Sequence, residues 1–165
     1  MLQTIGHTTR HVMGALRDVV WAINPENDSF EQLLIRMKEM ATLLLDANGI
    51  KLDFRAEANV YKLSLEMNQR KELLMIFKEA INNIVKHAHA QNVHVELTEL
   101  DKNIQLLVRD DGQGFELNRP KNGNGLKNFQ KRAQTLGGKL TLDSKPGSGT
   151  ALFLTFPSHH RGIVT

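Results

Sequence analysis

A chain of 165 residues, 41% hydrophobic and 24% charged, is long enough for one domain with a proper core, or one domain with a helical appendage. With 21 basic against 18 acidic residues the net charge is only +3 and no run of five Lys or Arg occurs, so nothing points to direct nucleic-acid binding. Cysteine is absent, which excludes disulfides, thiol catalysis and cysteine-ligated zinc; no apolar run reaches membrane-spanning length and no signal pattern opens the chain, so it reads as cytoplasmic, with any membrane link outside it.

The first predicted helix runs from about Thr4 to Ile23. Ile5, Thr9, Val12, Leu16, Val19 and Ile23 follow a 4-3-4-3-4 spacing, a short heptad seam that suits either a coiled-coil partner or a core. Asn24-Pro25 stops it, because the residue before a proline is pushed out of the α region. Ser29, with Gln32 three residues on, is a capping-box pattern. It opens a second helix whose stripe of Phe30, Leu33, Leu34, Met37, Ala41, Leu44 and Leu45 ends at Asn48-Gly49. Ile50 to Ala56 alternates as a half-buried strand. A third helix, from about Asn68 to Ala88, gathers Leu74, Phe77, Ile81, Ile84, Val85 and Ala88 on one side. Glu79, Asn83 and Lys86, at i, i+4 and i+7, line the other.

Val93 to Thr98 and Ile104 to Val108 alternate on either side of the polar turn Asp101-Lys102-Asn103 and read as a hairpin. From Asp110 to Gly125 the chain carries glycines at 112, 114, 123 and 125 and few large apolar side chains. A shorter helix, about Leu126 to Leu136, ends at Gly137-Gly138. Lys139 to Asp143 alternates, Pro146 to Gly149 turns, Thr150 to Phe156 makes a last strand, and the tail from Pro157 reads as frayed surface. The predicted fold class is α+β: a two-layer sandwich of a mixed, mostly antiparallel sheet covered on one face by helices, with an N-terminal helical extension.

Four separated segments bear on chemistry. Glu79, Asn83, Lys86 and His87 put an acid, an amide and cationic groups along one helix, a row that serves a metal and a polyphosphate or simply faces water. Asp110-Asp111-Gly112-Gln113-Gly114-Phe115 sets an aspartate at the end of a buried strand before alternating glycines, a pattern that alone is often just a turn. Gly123-Asn124-Gly125-Leu126 runs glycines into a helix N-terminus, where bare N–H groups and the helix dipole favour phosphate, unless it is merely a loop. Gly147-Ser148-Gly149-Thr150 is a tight turn into the last strand. In this order and on these elements the four resemble the N, G1, G2 and G3 boxes of the ATP-binding superfamily of gyrase, the heat-shock ATPase chaperones, the mismatch-repair ATPases and the sensor histidine kinases. Glu79 to Ala88 is similar to the N box of histidine kinases that act on helix-turn-helix response regulators. Asp18-Val19-Val20-Trp21-Ala22-Ile23-Asn24-Pro25-Glu26-Asn27-Asp28-Ser29 resembles the kinase segment that joins the dimerisation helices to the ATP domain.

The resemblance implies three parts: residues 1–27 as the C-terminal part of the dimerisation helices and linker, 28–157 as the ATP-binding catalytic domain, and 158–165 as a tail. It implies ATP and Mg²⁺ as cofactors, with Asn83 offering its side-chain oxygen to the metal. Asp110 is then expected to accept a hydrogen bond from the exocyclic amine of adenine, with Thr150 supporting that contact directly or through water. Gly112 and Gly114 would let the backbone approach base and ribose. Gly123, Gly125, Leu126 and Lys127 would meet the phosphates at the helix start, with Lys86 and His87 nearby, and Gln113 to Asn124 would form a lid. Glu79 is either the base that assists the acceptor histidine or a partner that orients a magnesium-bound water.

The implied partners are a phosphoacceptor histidine domain of the same kinase, a response regulator, and a second copy in a full-length homodimer. The implied location is the cytoplasm, or the cytoplasmic end of a membrane-anchored sensor. No His-Asp or His-Glu pair occurs in the chain, and His7 and His11 fall where the second dimerisation helix belongs. The expectation is therefore a catalytic domain without its acceptor helix, unable to phosphorylate itself. Two alternatives stay open: a serine kinase of the anti-sigma-factor type, and a regulatory module that binds nucleotide without catalysis.

Overall fold

The computed structural model describes residues 13–14, 16–27, 29–117 and 125–160. In chain order they form α1 (residues 16–23), a 3-10 turn (Pro25–Asn27), α2 (Phe30–Asp46), β1 (Lys51–Ala56), a second 3-10 turn (Val60–Lys62) and β2 (Leu63–Ser64). There follow α3 (Met67–Asn83) with a π-helical turn (Ile84–Ala88), β3 (Asn92–Leu100), β4 (Asn103–Asp110), α4 (Gly125–Thr135), β5 (Lys139–Ser144), β6 (Thr150–Pro157) and β7 (His159–His160). The main sheet has the order β1-β3-β4-β6-β5. Its β1–β3 pair is parallel and its other pairs antiparallel, which is the mixed α+β sheet expected from the sequence.

Period-2 alternation in these strands lays out cross-strand rows on the face turned to the helices. Phe54, Val95, Val108, Leu152 and Leu142 form one row, and Ala56, Leu97, Leu106, Leu154 and Leu140 the next. Both are apolar from edge to edge and join the core with Phe30, Leu33 and Met37 of α2, Leu73, Phe77 and Ile81 of α3, and Phe129 and Ala133 of α4. Phe77 meets Phe54 edge to face, with ring centroids 6.3 Å apart. A third row, Leu52, Val93, Asp110, Thr150 and Ser144, starts apolar and turns polar halfway across.

Helix ends follow their local chemistry. Ser29 Oγ accepts from the Gln32 N–H at 3.1 Å, so the cap predicted from Ser29 is formed. At the start of α3 the Gln69 side chain accepts from the Glu66 N–H at 3.1 Å. Glu72, buried on α3, accepts from Arg132 of α4 at 2.6 Å and so ties the two helices together.

One expectation is narrowed and two change. Among the described residues of the heptad seam, Leu16 and Ile23 are exposed, together with Met13 and Val20. The side of α1 that docks on the domain carries Ala22 and a buried aspartate, Asp18, which pairs with Arg36 of α2 at 3.1 Å and with Lys78 of α3. Apolar periodicity could not reveal a docking face built around a charge. The rest of the seam, Ile5 to Val12, lies outside the described residues, as do His7 and His11. Next, α3 does not stay α-helical to Ala88 but widens into a π turn after Asn83. Finally, the chain continues in order past Pro157. Ser158 N–H donates to Lys102 O at 2.8 Å, and β7 pairs antiparallel with β2, a strand too short to show alternation in sequence.

Asp18 is a single carboxylate serving two cations, so its removal leaves both unneutralised. Asp18→Ala is expected to lower stability by about 2 kcal/mol, less than the ~3–5 kcal/mol for a fully buried pair because Arg36 and Lys78 keep some water. Hydrogen exchange should quicken in residues 16–23 before it does in the sheet; uniform protection would contradict this anchoring role.

Candidate functional site

The polar end of the third row is the centre of the site. Val108 and Asp110 share the buried parity of β4, so the fold draws the Asp110 side chain inward and leaves it 4% exposed. Oδ1 accepts from the Gly112 N–H at 2.8 Å, and the Thr150 N–H also donates to the carboxylate. Desolvation raises the Asp110 pKa above the ordinary carboxylate value. The two backbone hydrogen bonds pull it down and the neighbouring Asp111 charge adds to the rise. Among the described residues Asp110 has no ion-pair partner.

Asp111, one residue on, has the opposite parity and a different job. Its carboxylate accepts from Gln91 N–H and Asn92 N–H, each at 2.8 Å, and from Asn92 Nδ2 at 2.7 Å. These bonds hold its pKa below the usual value and fasten the start of β3 to the end of β4.

The glycines around Asp110 admit main chain. A Cβ on Gly112 would lie 2.2 Å from Ala88 O, and one on Gly114, at φ +60, 2.0 Å from Lys145 O. Gly149, at φ +71, would place a Cβ 2.1 Å from Asp110 O. Gln113 N–H donates to Ala88 O and Gly147 N–H to Gln113 O, both at 2.7 Å. Segments 110–115 and 145–150 and the end of the π turn are thus stitched backbone to backbone. The close approach that the structure shows for Gly112 and Gly114 is therefore to the protein's own carbonyls.

Glu79 and Asn83 lie half-buried on α3, and Lys86 and His87 are exposed on the π turn. None of these four makes a side-chain hydrogen bond or ion pair among the described residues, so the row is available to a ligand. A π turn takes more residues per revolution than an α turn, which moves Lys86 and His87 off the line through Glu79 and Asn83. Gln113 accounts for the end of this turn: its Nε2 donates to His87 O at 2.7 Å, and its backbone N–H takes Ala88 O. His89 then leaves the helix in the left-handed region at φ 51.

Gly123 lies outside the described residues. Gly125, Leu126 and Lys127 form the first turn of α4, with Leu126 and Lys127 exposed, and no hydrogen bond or ion pair among the described residues joins them to the Asp110 cluster. That turn has no acidic side chain and carries a lysine, the charge that a helix N-terminus disfavours unless an anion sits there.

Sequence reasoning missed Ser144. Leu140, Leu142 and Ser144 share one parity on β5, so the same alternation that turned Asp110 inward was there to be read. Ser144 is buried opposite Thr150. Its Oγ accepts from Phe115 N–H at 2.9 Å and lies 3.1 Å from Gly149 O and 3.0 Å from Thr150 Oγ1.

Comparisons with known proteins agree on one family. Residues 68–160 match the family described as histidine kinase-, DNA gyrase B-, and HSP90-like ATPase. The chain is 34% identical over 128 residues to the signal transduction histidine-protein kinase/phosphatase DegS of Brevibacillus brevis, covering 76% of this chain and 32% of that protein. It is 33% identical over 124 residues to the nitrate/nitrite sensor protein NarQ of Escherichia coli, covering 74% of this chain and 22% of that one. The chain thus spans a third or less of the length of these curated relatives. In fold it resembles the histidine kinase domain of the Erythrobacter litoralis EL346 blue-light activated histidine kinase, with a TM-score of 0.67 at 16% identity over 87% of this chain and 74% of that chain.

The backbone contacts around Asp110 make a direct prediction. Gly149→Ala forces a side chain against Asp110 O in a left-handed conformation and is expected to cost on the order of 1–3 kcal/mol. Gly147→Ala, at φ +82 but with nothing within 4 Å of its Cβ, should cost less, since it adds only conformational strain. Thermal denaturation of the two variants checks the order.

Proposed function

The chain belongs to the histidine kinase-, DNA gyrase B- and HSP90-like ATPase family, in the form found as the catalytic domain of sensor histidine kinases, and from that premise we propose that it binds Mg-ATP beside Asp110 and delivers the γ-phosphoryl group to a histidine for relay to a response-regulator aspartate. The observation that carries this reading is the state of Asp110: buried, held by two main-chain N–H groups, and without an ion-pair partner among the described residues. A desolvated carboxylate of this kind gains from meeting an N–H donor. The exocyclic amine of adenine supplies one, whereas guanine presents a carbonyl at that position.

The donor set along α3 fits the charged end of the nucleotide. Asn83 would hold the magnesium ion through its amide oxygen, a neutral ligand suited to a metal whose other partners are phosphates and water. Lys86 and the first turn of α4, with Gly125, Leu126 and Lys127, would take phosphate oxygens, and His87 would lie close by. When bound, the metal draws charge from the phosphates and eases attack on the γ-phosphorus. Glu79 would either accept a proton from the attacking imidazole or act as an outer partner of the metal site.

On this reading residues 1–27 are the end of the dimerisation helices with the linker and 28–157 the nucleotide domain, with β7 in the segment that follows. Leu16, Val20 and Ile23 leave an exposed apolar stripe on α1, with Met13 exposed just before it, which suits packing against the other dimerisation helices of a full-length homodimer. No helix among the described residues is long and apolar enough to cross a membrane. A cytoplasmic position, where ATP is found, follows from the proposed chemistry. The serine-kinase alternative finds no support in the relatives, which are named as histidine kinases or sensors.

Asp110→Asn is expected to weaken ATP binding by roughly 10- to 100-fold, the range for losing a hydrogen bond to a charged group; calorimetric titration measures it, and unaltered affinity would remove Asp110 from the site. The same variant has a second signature in stability. With its folded pKa raised, an ionised Asp110 opposes folding at neutral pH and ceases to do so as the pH falls through that raised value and below ~4, the unfolded one. Without nucleotide, Asp110→Asn should therefore melt at or above wild type near pH 7, with any gain gone in acid. Asn83→Ala should remove the magnesium dependence of ATP affinity while leaving metal-free binding intact; an unchanged magnesium response would disprove the metal role.

A further inference from the structure

Ser144 sits beside the proposed adenine contact and has no assigned part in it. Its hydroxyl has one proton to donate and two lone pairs to accept with. Phe115 N–H, at 2.9 Å, can only donate, so it occupies one lone pair. Gly149 O, at 3.1 Å, can only accept, so the Ser144 proton must lie between those two oxygens. Thr150 Oγ1, at 3.0 Å, must then be the donor of the third bond, into the remaining lone pair. The opposite choice, with Ser144 donating to Thr150, would leave Ser144 and Gly149 with two oxygens in contact and no proton between them. Only one arrangement satisfies all three contacts, and it uses the single proton of Thr150.

We infer that Ser144 is a positioning residue for base selection: by taking the Thr150 proton it leaves Thr150 Oγ1 presenting only lone pairs, next to the Asp110 carboxylate in the same cross-strand row. Two acceptors side by side match the two protons of a purine 6-amino group. A 6-oxo purine would bring an oxygen against both. Thr150 alone could not make this distinction, because a free hydroxyl turns its proton toward whichever group arrives. The fixed direction comes from β5, through a residue that need not touch the nucleotide.

This assignment depends on Asp110 meeting the purine 6-position, so the test separates the two. The full chain is titrated with ATP and with inosine 5′-triphosphate, which carries a 6-oxo group and a proton on N1 where ATP has a 6-amino group and a bare N1, and the ratio of their affinities is the readout. Ser144→Ala is expected to narrow the ATP preference by about 3- to 10-fold, the effect of one hydrogen bond, largely through tighter binding of the 6-oxo nucleotide. Ser144→Thr, which keeps the hydroxyl, should hold the wild-type ratio. Thr150→Val should narrow it, and adding Ser144→Ala to Thr150→Val should change it no further.

A Ser144→Ala variant that weakens both nucleotides equally would reduce Ser144 to a structural role and overturn the inference alone. Wild-type chain that binds both nucleotides equally, or Asp110→Asn that binds ATP like wild type, would overturn the reading beneath it. Should Ser144→Ala fail to fold, Thr150→Val decides: an unchanged ratio there is equally fatal.

Discussion

A carboxylate at the end of an apolar sheet row loses much of its hydration, and among the described residues Asp110 is met by main-chain N–H groups rather than by a cation. The rest of the site follows from that choice. To bring Gly112 N–H onto Oδ1, the chain must turn sharply after β4, against the carbonyl of Ala88. To bring Thr150 N–H there, β6 must start opposite Asp110, and the turn before it must press on Asp110's own carbonyl at Gly149. A lysine or arginine in their place would satisfy the charge and close the site to a neutral donor. Backbone donors hold the side chain still and leave it electrostatically unspent.

Much of this was legible because strands keep strict parity. Once Val108 is buried, Asp110 must be buried and Asp111 must not, and the division of labour between the two aspartates follows from one-residue spacing. The stripe of Leu74, Phe77, Ile81 and Ile84 was legible for the equivalent helical reason, and each of these is buried. Ser144 obeyed the same parity as Leu140 and Leu142, yet a lone serine at a strand end carries no chemical mark of its own. Its meaning lies in three partners from two other segments, 110–115 and 145–150, which no local pattern records.

What stayed hidden depended on contacts between distant residues. The π turn after Asn83 is stabilised where Gln113, from the loop after β4, supplies two donors to the last carbonyls of the turn. The pairing of β2 with β7 joins two-residue strands almost a hundred positions apart. The docking of α1 turns on Asp18 meeting Arg36 and Lys78, an arrangement that a hydrophobic period reads as solvent-facing. Each case is a polar group whose partner lies beyond any sequence window, whereas apolar burial announces itself locally through repetition.

The walls around Asp110 consist largely of main chain, held at contact distance by glycines 112, 114 and 149. Main chain has no rotamers. A side-chain-lined pocket can drift through substitution, trading a leucine for a methionine and reshaping itself by small degrees. Here the neighbouring carbonyls bar most such trades, so the contour beside the carboxylate is nearly fixed for any sequence that keeps this turn. Variation in what such a site accepts must come from its polar directions, the sense in which each hydroxyl points, rather than from its contour. Two chains with superimposable backbones here can therefore differ in preference through a proton alone.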